Sequence, residues 1–189
     1  MATERFGLMK VGGKDATIIG DDIKVGQTAP DFTVQALDWS SKRGLADTEG
    51  KVRIIAAVPS LDTEVCDRET RRFNQEAASL SKDIVIEVIS TDLPYTQKRW
   101  CGAAGVDQVM TLSDHMNAEF AEKYGVLVKE RRICRRAVFV VNKNNKVTYV
   151  AYMPALGDEP NYTEVLEAAK KGARIDCLLR NCKMVRSKT

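Results

Sequence analysis

The sequence predicts an α/β protein with a mixed central sheet flanked by helices and with an N-terminal β-hairpin. Short apolar runs typical of buried strands alternate with longer stretches whose apolar residues recur at helical spacing. The N-terminal residues instead alternate around glycine turns, which favours a hairpin. The chain has 189 residues, of which 44% are hydrophobic and 29% are charged, so it can bury a core of its own.

The N-terminal elements are predicted to be extended. Two short runs at residues 8–11 and 16–19 are separated by a pair of glycines, which indicates a tight hairpin turn. A turn marked by Pro30 leads into a third strand. The polar residues 38–51 are interpreted as a loop.

Strands and helices then alternate through the middle of the chain. Residues 52–58 are a short apolar run ended by Pro59, which is typical of a strand buried on both faces. A polar loop and a helix follow it. The second buried strand covers residues 84–90, Pro94 opens the next helix, and residues 109–112 form a third strand.

The last elements include an antiparallel pair. A helix over residues 117–124 stops at a glycine. Two asparagines then join the strands predicted at residues 137–141 and 147–153. The final helix covers residues 162–171 and is predicted to end at Gly172.

This element order, with a hairpin before the last helix, is the order of a thioredoxin-like fold. We therefore expect a single domain over residues 1–172, with residues 1–24 as its hairpin extension. Residues 173–189 are interpreted as a basic C-terminal tail, because positions 170–189 carry seven Lys or Arg residues against one Asp. The tail is expected to be solvated; binding of an acidic surface or of RNA is the alternative.

Composition excludes several classes of protein. The sequence has one histidine, His115, which excludes a His-rich metal site. We expect His115 to lie on the surface near the start of a helix, without a catalytic role. A net charge of +3 does not argue for a nucleic-acid binder, and no run approaches the roughly 20 apolar residues of a membrane helix. The polar N-terminus does not resemble a secretory signal, so we expect a cytoplasmic protein.

The five cysteines point to thiol chemistry rather than to structural disulfides or zinc. They stand at positions 66, 101, 134, 177 and 182, and none is part of a Cys-x-x-Cys motif. Reduced or redox-active thiols are expected in such a chain.

Cys66 stands where the chemistry is expected. It follows the strand that Pro59 ends, and it lies in the first turn of the next helix, at the sheet edge where α/β proteins usually place sites. Unpaired backbone N–H groups and the helix dipole favour an anion there, so the thiolate is stabilised. Thr63, three residues earlier, can reach the sulfur or a substrate oxygen. The alternative is an inert, buried helix cysteine.

The motif Pro59-x-x-x-Thr63-x-x-Cys66 resembles the active site of the peroxiredoxins. The similarity extends over about residues 5–171 and is closest to the thiol peroxidase subfamily. The stretches that carry it, in the same order, are residues 59–74, 92–102, 111–114 and 136–141.

The resemblance implies a role for each of five residues. Cys66 is the peroxidatic cysteine, and Pro59 shields it. Thr63 hydrogen-bonds and orients the peroxide, while Arg136 donates to the thiolate and to the peroxide oxygens. Cys101 is the resolving cysteine of an intrachain disulfide, as in the atypical two-cysteine type.

The same resemblance implies a thiol-dependent peroxidase that reduces hydrogen peroxide and organic hydroperoxides. Thioredoxin recycles the enzyme by thiol–disulfide exchange, and no flavin, haem or metal is needed. A homodimer packed near the active site is also implied. Physics agrees with the roles, because fixed donors aimed at both peroxide oxygens lower the barrier to attack by a thiolate.

The two cysteines of the pair lie in separate predicted helices. We expect the Cα atoms of reduced Cys66 and Cys101 to be farther apart than the roughly 7 Å that a disulfide spans, so that each helix partly unwinds to join them. Cys134 is interpreted as a strand-edge packing residue. Cys177 and Cys182 in the tail are left open, as free thiols, a pair, or links between chains.

Two other functions stay open at this point. One is a thioredoxin-fold binding protein or chaperone whose peroxidatic motif is vestigial. The other is an RNA-associated or membrane-associated protein that works through its basic tail. The sequence does not decide between hydrogen peroxide and alkyl hydroperoxides as the preferred substrate.

Overall fold

A computed structural model describes the backbone of residues 2–186 and the side chains of residues 2–174. The strands are β1 (Glu4–Val11), β2 (Lys14–Ile19), β3 (Thr33–Gln35), β4 (Ser41–Arg43), β5 (Val52–Ala57), β6 (Ile84–Ser90), β7 (Met110–Ser113), β8 (Leu127–Val128), β9 (Ile133–Cys134), β10 (Ala137–Val141) and β11 (Val147–Tyr152). The helices are α1 (Glu64–Ala77), α2 (Pro94–Ala104), α3 (Glu119–Lys123) and α4 (Tyr162–Arg186), with a short 3-10 turn at Ala46–Thr48.

The central sheet is mixed, as predicted. Its strand order is β11-β10-β5-β6-β7-β3-β4, with β5, β6 and β7 parallel to one another and the other neighbours antiparallel. All six residues of β5 are buried, which agrees with the prediction of a strand buried on both faces, and the burial includes the one charged residue of the strand, Arg53. Helices cover both faces, so the predicted thioredoxin-like α/β class is confirmed.

The pleat of β5 divides the core into two clusters. Ile54 belongs to a cluster with Phe73 of α1, on the face that α1, α2 and α4 cover. Ile55 points to the other face, where it belongs to a cluster with Phe120 of α3 and Phe32. Cys66 belongs to the first of these clusters.

The N-terminal hairpin is confirmed, and it belongs to a second sheet of order β1-β2-β8-β9. The strands β8 and β9 have two residues each, too short for a periodic pattern, and were not predicted. Met9, Val11 and Ile18 of the hairpin pack on Val128 of β8. The hairpin is therefore anchored against the segment that leads to β10.

Two sequence predictions were wrong in detail. The stretch 38–51 is not only loop: it contains β4, whose three residues are all exposed and polar and so gave no strand pattern. The last helix does not end at Gly172 but continues to Arg186. A glycine inside a helix costs only about 1 kcal/mol relative to alanine, and here α4 packs on β5 and β10.

The predictions on the tail fall largely outside the residues whose side chains are described. This applies to Cys177 and Cys182. The division of the chain at residue 173 stays a prediction. Among the described residues, no helix is long and apolar enough to cross a bilayer.

Candidate active site

The loop that leads into α1 is fixed to the end of the neighbouring strand. Because β5 and β6 are parallel, the segments that follow them lie at the same edge of the sheet. Asp92, after β6, accepts hydrogen bonds from the Leu61 backbone N–H and from the Ser60 hydroxyl, each at 2.8 Å. Pro59 at the start of the loop is buried. One carboxylate thus holds the loop in place.

Cys66 lies in the first turn of α1, where the sequence placed it. Thr63 is the N-cap residue, with extended backbone (φ −92°, ψ 144°), and its side chain does not cap the helix. Its hydroxyl instead donates to Cys66 Sγ at 2.8 Å, and it also lies 2.9 Å from the Ser60 carbonyl oxygen. The sulfur lies near the positive end of the helix dipole as well, which favours a thiolate.

Arg136 supplies a second donor to the same sulfur. It directly precedes β10, and its Nη2 lies 3.2 Å from Cys66 Sγ. The Leu156 carbonyl oxygen accepts from both Nε at 3.1 Å and Nη2 at 2.9 Å, which fixes the plane of the guanidinium. Arg136 therefore points at Cys66 and not away from it.

Glu69 completes the group, and sequence reasoning missed it. It stands three residues after Cys66 on α1, which places both side chains on the same side of the helix. Its Oε2 accepts from Arg136 Nη1 in an ion pair whose side chains are 0% and 1% exposed. The one sequence feature that could have identified Glu69 is its position about one helical turn after Cys66. Carboxylates at this spacing are common in a sequence with 29% charged residues, so the feature is not specific.

Burial shifts the protonation of this pair. Desolvation raises the pKa of Glu69 to about 7, although Arg136 opposes the shift. Desolvation lowers the pKa of Arg136, but the charges of Glu69 and Cys66 outweigh it, so the pKa of the guanidinium is raised. Arg136 thus keeps its positive charge inside the core.

Cys66 itself is 0% exposed, yet it does not match an inert core thiol. Such a thiol has apolar neighbours, whereas this sulfur has a hydroxyl and a guanidinium within hydrogen-bond distance. A cleft of about 620 Å³ opens beside it, with Pro59, Thr63 and Arg136 among its lining residues. The arrangement can hold a thiolate and can donate to an oxygen bound next to it.

Cys101 is not part of this group. It lies in α2, is partly buried, and its Sγ is 3.2 Å from Thr111 Oγ1. Burial raises the pKa of its thiol. It lines a separate cleft of about 520 Å³ beside β7. Cys66 and Cys101 are both free thiols, and the expected separation of their Cα atoms stays a prediction.

The remaining predicted residues lie away from the cysteine. Cys134 is fully buried in β9, the edge strand of the small sheet, as its packing interpretation predicted. His115 is partly buried rather than freely exposed, because its ring lies edge-on to Trp39 at 5.3 Å and its Nδ1 is 2.9 Å from Ser113 Oγ. Within the described part of the chain, no cluster of three potential ligands could hold a metal ion.

Comparison with known proteins gives a consistent set of relatives. The sequence profile of the Redoxin family matches residues 24–166. A thiol peroxidase of Oceanobacillus iheyensis is 53% identical over 155 residues, which is 82% of this chain and 93% of the relative. A thiol peroxidase of Bacillus subtilis is 51% identical over 158 residues, covering 84% and 93% of the two chains.

A solved structure agrees with these relatives. The chain is similar to a peroxiredoxin-like protein from Aquifex aeolicus, with a TM-score of 0.80 and 36% identity over 90% of this chain and 98% of the other.

Proposed function

We infer that the thiolate of Cys66 attacks the peroxide. The chain belongs to the Redoxin family and within it to the thiol peroxidases, so its reaction is the reduction of peroxides. The protein is a thiol-dependent peroxidase. Cys66 is supported as the attacking residue because two hydrogen-bond donors lie next to its sulfur. Thr63 Oγ1 lies 2.8 Å and Arg136 Nη2 3.2 Å from Cys66 Sγ.

In the first step the Cys66 sulfur attacks one oxygen of the substrate. An S–O bond forms while the O–O bond breaks, and the sulfur is oxidised to a sulfenic acid. The other oxygen takes up a proton and leaves as an alcohol, or as water when the substrate is hydrogen peroxide. Charge builds on that oxygen during the displacement, so fixed donors from Thr63 and Arg136 stabilise the transition state.

In the second step Cys101 resolves the sulfenic acid. Its thiolate attacks Cys66 Sγ, an S–S bond forms, and the hydroxyl leaves as water after protonation. Because Cys101 lines a different cleft, this step is proposed to require that the helix around each cysteine partly unwinds. An external dithiol then reduces the disulfide, and we assign that role to thioredoxin.

We also propose a homodimer. The rings of Trp39 and Tyr95 lie 5.0 Å apart at a tilt of 59°, although these residues are 41% and 70% exposed, and Leu93, two positions before Tyr95 in the chain, is 46% exposed. Exposed aromatic patches of this kind mark contact surfaces. The patch adjoins Asp92, which fixes the loop before Cys66, so the interface is proposed near the active site.

A cytoplasmic location fits the thiols. Each cysteine whose side chain is described is free, and thiols stay reduced in that compartment. The rival interpretation as a binding protein or chaperone with a vestigial site has no observation in its favour, because the hydrogen bonds to Cys66 are intact. The rival based on the basic tail falls on residues whose side chains are not described.

The test is thioredoxin-coupled consumption of peroxide. The wild type is expected to turn over, and Cys66→Ser to show no activity. Cys101→Ser is expected to reduce one equivalent of peroxide and then stop. Multiple turnovers by Cys66→Ser would contradict the assignment of the attacking sulfur. Continued recycling of Cys101→Ser by thioredoxin would contradict the assignment of the resolving cysteine.

A further inference from the structure

A hydrogen bond joins α1 and α2 between the residues that stand next to Cys66 and Cys101. Asp67 follows Cys66 on α1, and Trp100 precedes Cys101 on α2. The indole Nε1 of Trp100 donates to Asp67 Oδ1 at 3.0 Å, across 33 positions of the chain. Trp100 is only 8% exposed and belongs to the same core cluster as Cys66, so packing fixes the direction of its ring.

Arg71 adds further bonds to the same place. It stands about one helical turn after Asp67, and its Nε lies 3.0 and 2.9 Å from the two carboxylate oxygens. Its Nη1 donates to the Ala104 carbonyl oxygen at 2.9 Å, and its guanidinium lies 5.8 Å from the centre of the Trp100 ring. Ala104 ends α2, where carbonyl groups lack a partner within the helix. We call the three side chains of Asp67, Arg71 and Trp100 the α1–α2 contact.

While this contact is formed, the two thiols have separate surroundings. Cys66 Sγ lies 3.2 Å from Arg136 Nη2, which precedes β10. Cys101 Sγ lies 3.2 Å from Thr111 Oγ1 of β7, and β5 and β6 lie between β10 and β7 in the sheet. Successive residues of a helix point about 100° apart, so each cysteine points away from the contact that its neighbour makes.

The contact lies in the segments that are proposed to unwind. Cys66 is in the first turn of α1 and Cys101 is in the last turn of α2. Since Asp67 and Trp100 are their direct neighbours, unwinding of either turn removes one partner of the hydrogen bond. The bond is therefore present when the helices are complete and is lost when the sulfurs approach each other.

We propose that the α1–α2 contact holds Cys66 and Cys101 apart and must break before their disulfide forms, so that it sets the rate of the resolving step. The proposal rests on the proposed function of the two cysteines. Its members are positioning residues, because they act through the helices that carry the sulfurs.

The contact also sets how long the sulfenic acid of Cys66 stays exposed to a second peroxide. That peroxide forms another S–O bond while its O–O bond breaks. The products are a sulfinic acid and an alcohol, or water when the peroxide is hydrogen peroxide. Cys101 competes with this reaction for the same sulfur. A contact that slows disulfide formation therefore increases the fraction of Cys66 that is lost as sulfinic acid.

Trp100→Phe tests the proposal, because it keeps an aromatic ring in the core and removes the N–H that donates to Asp67. After one equivalent of hydrogen peroxide, this variant is expected to form the disulfide about tenfold faster than the wild type, the size of one hydrogen bond to a charged group. The rate of sulfenic acid formation should stay unchanged, since the donors to Cys66 Sγ remain in place. Rapid-quench trapping of the thiols followed by mass spectrometry measures both steps.

Arg71→Met and Arg72→Met form a matched pair that leaves the core undisturbed. Both arginines are exposed on α1, each pairs with a carboxylate four positions away, and each lies over an aromatic ring. Arg71 reaches α2, whereas the partners of Arg72 are Glu76 of α1 and Tyr162 of α4. Arg71→Met is expected to speed disulfide formation about threefold, the size of an exposed ion pair, and Arg72→Met to leave it unchanged.

The ratio of sulfinic acid to disulfide in excess hydrogen peroxide is the second readout, and a merely structural role of the contact would not lower it. It is expected to fall about tenfold in Trp100→Phe and about threefold in Arg71→Met. An unchanged or slower disulfide rate in either variant overturns the proposal, as does an equal acceleration in Arg72→Met. If the wild type forms no bond between Cys66 and Cys101 after one equivalent of peroxide, the proposed function is overturned instead.

Discussion

Glu69 and Arg136 form an ion pair that lies inside the core, with side chains 0% and 1% exposed. The other carboxylate oxygen of Glu69, Oε1, has no hydrogen-bond partner. The guanidinium of Arg136 therefore supplies the hydrogen bond that stabilises the negative charge of Glu69. The guanidinium in turn reaches Cys66. The cysteine, the arginine and the glutamate therefore form one electrostatic unit, and a change at either end alters the other.

Replacing Glu69 by Gln is expected to change the pH dependence of stability. Burial raises the pKa of Glu69 to about 7 from a usual 4.5. The folded protein therefore binds the proton more tightly than the unfolded chain, and this stabilises the wild type fully below pH 4.5 and is lost as the pH rises to 7. The free energy of unfolding of the wild type relative to Glu69→Gln should fall by about 3 kcal/mol across this window. Urea unfolding at a series of pH values measures it, and a flat difference contradicts the shift.

Arg136→Lys is expected to lower kcat/KM for hydrogen peroxide by about 100-fold to 1,000-fold, the usual effect of losing a fixed donor in the transition state. A lysine keeps the charge, but its single nitrogen cannot replace the three nitrogens from which Arg136 donates to the Leu156 carbonyl, Glu69 and Cys66. Arg132→Lys is the matched control on the surface and should retain full activity. A mild effect of Arg136→Lys would show that charge alone suffices.

The hydroxyl of Thr63 is tested by a pair of substitutions. Thr63→Val keeps the shape but removes the donor to Cys66 Sγ, and its rate of peroxide reduction should drop by about 10-fold to 100-fold. Thr63→Ser keeps the hydroxyl and should retain most of the rate. Stopped-flow kinetics of the first turnover isolates this step, and equal losses in both variants would contradict a role for the hydroxyl.

The resolving step is expected to become faster with increasing pH. Burial raises the pKa of the Cys101 thiol, while the hydrogen bond with Thr111 opposes the shift. Little thiolate is therefore present at neutral pH, and the rate of disulfide formation after one equivalent of peroxide should still be rising at pH 9. Thr111→Val should displace the profile to higher pH. A rate that is constant from neutral pH upward contradicts the assignment.

Gly172→Ala tests whether α4 continues past the predicted end. A Cβ at Gly172 would meet Val52 at 3.5 Å, an ordinary contact, so the substitution is expected to stabilise the protein by roughly 0.5–1 kcal/mol. Gly105→Ala is the control, because Gly105 ends α2 in the left-handed region (φ 64°) and its replacement should destabilise the protein. Destabilisation of both variants would restore the predicted helix end.

Elements with a strong periodic pattern were predictable. The buried strand β10 is a continuous apolar run, β5 and β6 are apolar apart from Arg53, Glu87 and Ser90, and the hairpin of β1 and β2 is marked by its glycines. The small strands β4, β8 and β9 escaped prediction because two or three residues carry no period, and the pairing of β8 with β2 joins residues that are distant in the chain. The end of α4 was misjudged because packing on the sheet overrides the weak helix propensity of glycine.

The amino-acid sequence was enough to predict the α/β class, the position of Cys66 in the first turn of a helix and the residues expected around it, since these follow from local patterns and from a motif of fixed spacing. The packing of the elements was needed to find that Glu69 holds Arg136, that Asp92 fixes the loop and that Arg131 borders the cleft. Glu69 and Arg136 are 67 positions apart in the chain, and Leu61 and Asp92 are 31 positions apart. Arg131 lies between β8 and β9, which belong to the small sheet and not to the central one. A local pattern records the period of an element, but it does not record which side chains meet when the elements pack.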